Sequence, residues 1–454
     1  MPNWRCAKCR VENDPEGNFC ISCGQARPGV PAPDTPGLPP EAPGIASHSR
    51  SASVLDELRS GDDSPFKQSR ATLRQFRAGM PKLADLSLEM PKMDTAFKGK
   101  SAFARVTTHE LELQAQPLPR LNYALAHCGI PLIPSLTIRN LSGEAANDVL
   151  IKAWVATDYG EPWQKTVPAI PPGQSYSQTK IVVPLTKSRL QEVREAEKAS
   201  LRVDVFTEGN LQISETYPLE VLAYNEWYYH PAAQGITACF VQPNAESVEH
   251  IVSLVRDRLQ KEYRDTALDG YQSGEPKKIV RMLEALYLTL QKDLQLTYIN
   301  PPPSFEKPEF LPDGTNTLSQ KVFFPEQILK HRRGTCLDLA LLCAACVERM
   351  GLNPLVFLIA GHAFFGAWLV ERNFAAAAVS DPDIVAQLVS AGALFPLNST
   401  TFALAEQKPF RECLEEAQYC LSRPELFMCA VDVLSSRNEG FKPIPPMVTR
   451  PNAT

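Results

Sequence analysis

Seven prolines fall between Pro28 and Pro43, in "PGVPAPDTPGLPPEAP". Each one fixes φ and removes a backbone donor, so this stretch can join neither a helix interior nor a central strand. It predicts an extended connector and divides the 454-residue chain into a small N-terminal piece and a large remainder. The next sixty or so residues are rich in Ser, Lys, Arg and Asp and poor in aromatics, which extends the expected disordered linker over 27–105. "KGKS" at 98–101 lacks the first glycine of a phosphate-binding loop, where Asp94 stands, and follows no strand. It is not read as a nucleotide site.

Composition narrows the rest. Hydrophobic residues make up 44% of the chain, enough for sizeable cores. A formal net charge of −5 gives no global basic field that would call for nucleic acid or an anionic membrane. The opening "MPNWRCAKCR" has no apolar h-region, which predicts no secretory signal. No run reaches the roughly 18 apolar residues of a membrane span. Twelve cysteines are present, four of them in two CxxC pairs and the rest scattered, mostly in apolar runs. That usage predicts a reducing cytoplasm with one metal site, not a disulfide framework.

Cys6, Cys9, Cys20 and Cys23 are spaced C-x2-C-x10-C-x2-C. Two knuckles then offer four soft thiolates to a tetrahedral zinc ion, and a unit of residues 1–26 needs that ion to fold. The spacing Trp4, Cys6, Cys9, Asn13, Cys20, Cys23 is similar to the Ran-binding-protein-2 type of finger, some members of which bind single-stranded RNA. The ending "NFCISCG" resembles a bacterial zinc ribbon. The acidic "ENDPEG" between the knuckles would repel phosphate, so a ribbon that contacts protein is favoured over nucleic acid.

From 106 to 225 apolar and polar residues alternate in "PSLTIRNLSG", "DVLIKAWVA", "YSQTKIVVPL", "ASLRVDVFTEGN" and "ISETYPLEVLAY". Short strands at this spacing predict an antiparallel β-sandwich of Ig-like type. "KSRLQEVREAE" is expected as a helix between two of them. From 226 to 445 the period changes. "SVEHIVSLVRDRLQKEY" carries apolar residues at 248, 251, 252 and 255, a helical spacing, and "PKKIVRMLEALYLTLQKDL" does the same. "NPPPSFEKPEF" and "LPDGTNTLSQ" read as loops. Residues 336–350 form a strong helix with Leu337, Ala340, Leu341, Ala344 and Val347 on one face. "PLVFLIAGHAFFGAWLV" reads as two strands broken at Ala360–Gly361, and "ALFPLNSTTFA" as another strand. Residues 446–454 form a tail.

Cys336 opens the long helix, where free N–H groups and the macrodipole favour a thiolate and could hold an oxyanion. Cys343 and Cys346 lie deeper and read as inert core residues. His362 follows a glycine at a strand edge. A cysteine and a histidine so placed fit either a thiolate–imidazolium pair or two core residues. Asn398, in "FPLNSTT", is the candidate to orient the ring; Asp381 is the alternative.

"GTCLDLALLCAACVERMGLNP" and "GHAFFGAWL" resemble the transglutaminase-like cysteine-peptidase superfamily, which has a papain-like fold. Gly334, Cys336, Asp338, Ala340 and Leu342 match its first block, and Gly361, His362 and Ala363 its second. Asn398 stands where the third block carries an acid, and papain-like enzymes use Asn there. The stretch from about 106 to 445 is also similar to a module at the N-terminus of some large bacterial superfamily I helicases. The resemblance implies an α+β chain: a papain-like, transglutaminase-like domain preceded by a β-sandwich and a zinc ribbon. It implies a cytoplasmic cysteine protease acting on a protein substrate through Cys336, His362 and Asn398, with Gln320 as an oxyanion donor. Acyl transfer to an amine and a non-catalytic interaction platform are the competing expectations, and the helicase-linked resemblance adds a role in anti-phage defence.

Overall fold

The computed structural model describes residues 110–156, 158–300, 309–310 and 316–446, together with the short strands 4–5 and 12–13. The chain divides into two compact units, Met1–Ser51 and Ala52–Thr454. In the first, β1 (Trp4–Arg5) pairs antiparallel with β2 (Glu12–Asn13). Cys6, Cys9, Cys20 and Cys23, the 27–105 linker and the "KGKS" stretch lie outside the described residues.

The second unit is a mixed α+β structure. Its described residues begin with β3 (Leu111–Gln116), β4 (Arg120–Leu121), α1 (Tyr123–His127), β5 (Ile133–Asn140), β6 (Ala146–Val155), β7 (Trp163–Ile170) and β8 (Ser175–Ile181). There follow α2 (Lys187–Glu192), β9 (Glu197–Thr207) and β10 (Asn210–Val221). The strands form a five-stranded sheet, β4-β10-β9-β6-β7, and a three-stranded sheet, β3-β5-β8. All pairs are antiparallel except β4 with β10. The period-two pattern has the expected cause. In β6, Val149, Ile151, Ala153 and Val155 are buried while Leu150, Lys152 and Trp154 are partly exposed. These inward residues share one core with Leu113, Leu136 and Ile138 of the smaller sheet. The helix expected over "KSRLQEVREAE" is shorter, because fully buried Val193 turns the chain to an extended conformation.

Among the elements that follow are β11 (Glu226–Tyr229), a 3-10 stretch Pro231–Phe240, α3 (Glu246–Tyr263), α4 (Pro276–Leu288), a π-helical turn Thr289–Leu294, β12 (Thr297–Tyr298), β13 (Glu309–Phe310), β14 (Asn316–Lys321) and α5 (Pro325–His331). Next come β15 (Arg333–Gly334), α6 (Cys336–Arg349), β16 (Pro354–Ile359), β17 (His362–Trp368), β18 (Ala378–Val379), α7 (Pro382–Ser390) and β19 (Leu394–Leu397). A 3-10 turn Ser399–Phe402, α8 (Phe410–Leu421), β20 (Phe427–Asp432) and α9 (Val433–Asn438) complete the order. "LPDGTNTLSQ" was expected as a loop; it contains most of β14, which pairs with β11 through Trp227 and Gln320.

The central sheet runs β18-β20-β16-β17-β19, antiparallel throughout. Every residue of β16 is buried, because both its faces are covered. Val356 and Leu358 join the core that contains α6, while Leu355, Phe357 and Ile359 join a second core with Val385 and Val389 of α7. The one-sided apolar face expected for α6 is corrected: all residues from Cys336 to Val347 are buried. The sheet covers one side of α6 and α3 the other, and its small Ala and Cys side chains permit that close packing. Among the described residues, no helix is long and apolar enough to cross a membrane.

Candidate active site

The site begins with a helix cap. Thr335 is extended and its hydroxyl accepts the Asp338 N–H at 3.2 Å. Asp338 Oδ2 accepts the Thr335 N–H at 2.9 Å, closing a reciprocal capping box. Cys336 is therefore the first residue of α6. A Cβ at Gly334 would come within 3.1 Å of the Asp338 and Leu339 side chains, so a larger residue here makes those neighbours shift.

Asp338 has a second task. Its Oδ1 accepts the Phe323 N–H at 2.8 Å and ties the chain after β14 to the start of α6. Burial pushes its carboxyl up to about 6, against the pull of the Thr335 and Phe323 N–H groups. Gln320, near the end of β14, donates from Nε2 to the Thr335 hydroxyl at 2.7 Å. Its Oε1 is buried without a partner. The separation of sixteen positions between Gln320 and Cys336 in sequence thus closes to a direct side-chain contact with the residue before the cysteine.

Cys336 is fully buried. Burial pushes its thiol up to about 12, opposed by hydrogen bonds from the Ala363, Leu337 and Cys336 backbone. The sulfur therefore lies against β17, one residue beyond His362. Cys343 and Cys346 are also fully buried and their thiols are raised by desolvation, as core residues should be.

His362 starts β17 after the Ala360–Gly361 turn, where Gly361 takes φ +75°. In this strand Ala363, Phe365 and Ala367 belong to the core around α6, and Phe364 and Trp368 to the opposite one. The His362 ring shares Phe364's side and stacks on it at 5.9 Å. It keeps partial solvent exposure, and its Nε2 lies 3.2 Å from Asn398 Oδ1. Burial pushes the imidazole down to about 4, with the Asn398 hydrogen bond acting in the other direction. Among the described residues, no hydrogen bond joins Cys336 Sγ to His362.

Asn398 does not sit in a strand as expected. It follows β19 and caps the 3-10 turn, where its Oδ1 also accepts the Thr400 N–H at 3.2 Å and the Thr400 hydroxyl at 3.0 Å. Its Nδ2 donates to Glu416 Oε2 at 3.3 Å. Asp381, the alternative, is exposed and caps α7 through the Asp383 N–H at 2.9 Å. The fold thus pairs His362 with Asn398 and Gln320 with Thr335. Sequence reasoning overlooked Glu416 and the bracing role of Asp338. The T-x-x-D spacing of Thr335 and Asp338 was a readable signal of the second; Glu416 has no local signal.

No known protein family and no curated protein matches the chain. Among solved structures it is similar to the alkylpurine DNA glycosylase AlkC of Pseudomonas fluorescens bound to DNA containing an abasic site analogue. That likeness has 13% identity and a TM-score of 0.16, and it covers 26% of this chain and 32% of that one. A likeness this slight carries no argument about fold or function.

Proposed function

We propose that the chain is a cytoplasmic bacterial cysteine hydrolase of the transglutaminase-like, papain-like type, acting as a protease on a protein substrate. The observation that carries this reading is the nearness of two positions on β17: Ala363 faces the core of Cys336, and His362, one residue earlier, turns its ring to the Phe364 side. The Cys336 sulfur rests on the Ala363 backbone, and His362, the residue before, is held by Asn398. In this reading Cys336 attacks the scissile carbonyl and His362 takes the thiol proton, later giving it to the leaving amine. The oxyanion is held by the Cys336 N–H and by the Gln320 NH2 group, whose nitrogen already donates to the Thr335 hydroxyl beside the cap. Water then attacks the thioester. The zinc ribbon of residues 1–26, with Zn2+ on Cys6, Cys9, Cys20 and Cys23, recruits the substrate or a partner protein by raising its local concentration.

The thiol raised to about 12 and the imidazole lowered to about 4 make both groups neutral, and Cys336 is sealed. We therefore read this as a resting form, in which proton transfer follows opening of the site. The test is a pool of unfolded proteins incubated with the full chain. New N-termini that vanish with Cys336→Ala support a protease, and none that depend on Cys336 overturn it. Incorporation of a primary amine into glutamine, dependent on Cys336, would assign acyl transfer instead.

A second reading, a non-catalytic interaction platform, is favoured by the burial of Cys336 and the lack of a direct Cys336–His362 hydrogen bond. It expects Cys336→Ala to change no chemistry while partner binding persists.

A further inference from the structure

We propose that Glu416 is a positioning residue for the site. It fixes the Asn398 amide with Oδ1 toward His362, which puts the imidazole proton on Nε2 and leaves Nδ1 as the basic nitrogen. The consequence for catalysis rests on the reading of Cys336 and His362 as nucleophile and base; the consequence for the imidazole does not.

The argument is one of donors and acceptors. An ionised carboxylate only accepts, so the Asn398 end facing Glu416 Oε2 must be the NH2 group. The other end is then the carbonyl, and it meets two donors from Thr400, a backbone N–H and a hydroxyl. Reversing the amide would set oxygen against carboxylate and NH2 against the Thr400 N–H. With Oδ1 so placed, the remaining approach at 3.2 Å can only be a donation from His362 Nε2–H. Glu416 is itself held. Lys408 pairs with it and also with Glu406 at 3.0 Å. The Lys408 backbone is pinned in turn, its carbonyl accepting from Tyr287 and from Gln291, both at 2.8 Å. Asn398 is neutral, so the negative charge that an aspartate would bring directly to the ring arrives one amide further out.

The experiment is nitrogen NMR of 15N-histidine-labelled full chain, with the His362 signal assigned by its loss in His362→Gln. The wild type is expected to show one neutral tautomer, protonated at Nε2. Glu416→Leu is expected to populate the Nδ1–H form, and Glu416→Gln, which can both accept and donate, to do so less. Glu416→Asp is expected to keep the wild-type signal. An unchanged Nε2–H signal in folded Glu416→Leu overturns the proposal; should that variant not fold, an unchanged signal in Glu416→Gln does so. If the tautomer responds as expected but Cys336→Ala costs no activity, the catalytic reading fails and the positioning of His362 stands.

A second inference comes from a different part of the unit. Cys128, at the end of α1, and Cys239, in the 3-10 stretch, bring their sulfurs to 3.1 Å across 111 residues of sequence. We infer that these two thiols form a reversible disulfide when exposed to a peroxide. Cys128 is partly exposed and Cys239 buried, so Cys128 meets the oxidant first. The Cys239 hydrogen bond draws the Cys128 thiol below its ordinary value despite burial, with help from the Lys442 backbone and the charges of Arg437 and Lys187. Its thiolate attacks the peroxide, an S–O bond forms, the O–O bond breaks, and hydroxide leaves to become water. The Cys239 sulfur then attacks the sulfenic acid, forming S–S and releasing a second water. Two thiols are oxidised and one hydrogen peroxide gives two waters. The bond would staple α1 beside the β-strands to a segment whose Ala238 and Val241 carbonyls are held by Arg437, itself paired with Glu348 of α6.

Treating the full chain with hydrogen peroxide, blocking free thiols and digesting without reductant should yield a Cys128–Cys239 cross-linked peptide. Dithiothreitol should remove it, and neither Cys128→Ser nor Cys239→Ser should give it. Peroxide that leaves both thiols alkylatable, or carries Cys128 to the sulfinic acid with no cross-link, overturns the inference.

Discussion

His362 and Asn398, 36 residues apart in sequence, meet with Nε2 and Oδ1 separated by 3.2 Å. The contact depends on β17 starting at one residue and β19 ending just before the other, with Phe365 registered opposite Leu397. Asn398 is only 4% exposed and serves three donors at one oxygen, so its loss is not locally replaceable by water.

Asn398→Ala is expected to cost about 1–3 kcal/mol, the price of leaving buried polar groups unmade. Urea denaturation measures this. Because the Asn398 bond opposes the effect of burial on His362, its removal should lower the imidazole pKa further. An NMR titration of His362 that does not move would mean the contact has no hold on the ring.

Cys336 should alkylate slowly in the folded chain. A thiol pushed up to about 12 has a thiolate fraction on the order of 10−5 at pH 7, and the rate should climb about tenfold per pH unit. Cys128, whose thiol is drawn down, is the reference within the same molecule. Iodoacetamide labelling followed by peptide mass spectrometry reads both sites across pH 6 to 9. Fast labelling of Cys336 with no pH slope would reveal a thiolate–imidazolium pair already formed.

What can be read from the chain depends on whether the determinant is local. α6 and the β16–β17 hairpin are legible, since a long apolar run is punctuated by Gly351 and by Gly361 at φ +75°. The alternating strands up to β10 are legible for the same reason. β14 is not: its residues are mostly polar, and it is a strand because β11, far upstream, hydrogen-bonds to it. β20 pairs with both β16 and β18, which lie far from it in sequence. Glu416 looks like any acidic residue on an amphipathic helix, and only folding brings it to Asn398 and Lys408. The partners of Cys336 and His362 are therefore less visible in sequence than the two residues themselves.

The full chain should carry about one zinc ion, as four thiolates at this spacing form a closed tetrahedral set. Cys20→Ser should lose the ion, as read by elemental analysis of the purified protein. These cysteines belong to Met1–Ser51, a unit separate from Ala52–Thr454, so the thermal transition of the second unit should be unchanged in the variant. A wild-type chain purified without zinc, yet binding none when it is supplied, would remove the ribbon from the account.

Asp338 makes stability fall as pH rises through a defined window. Its carboxyl has an ordinary value of 3.8 and is pushed up to about 6 in the fold. The native state therefore holds a proton that the unfolded state has lost between those values. Asp338's contribution is fully present below about pH 4 and is lost as pH rises through 6. A shift of about 2 units corresponds to about 3 kcal/mol. Asp338→Asn does not titrate, so the stability difference between wild type and variant isolates the effect. The variant should also be destabilised at every pH, since an amide NH2 must face either the Phe323 or the Thr335 N–H. Urea midpoints measured from pH 4 to 7 should show the wild-type advantage shrinking with rising pH. A constant or growing advantage would mean that Asp338 is ionised throughout, held by the N–H groups more firmly than burial opposes it.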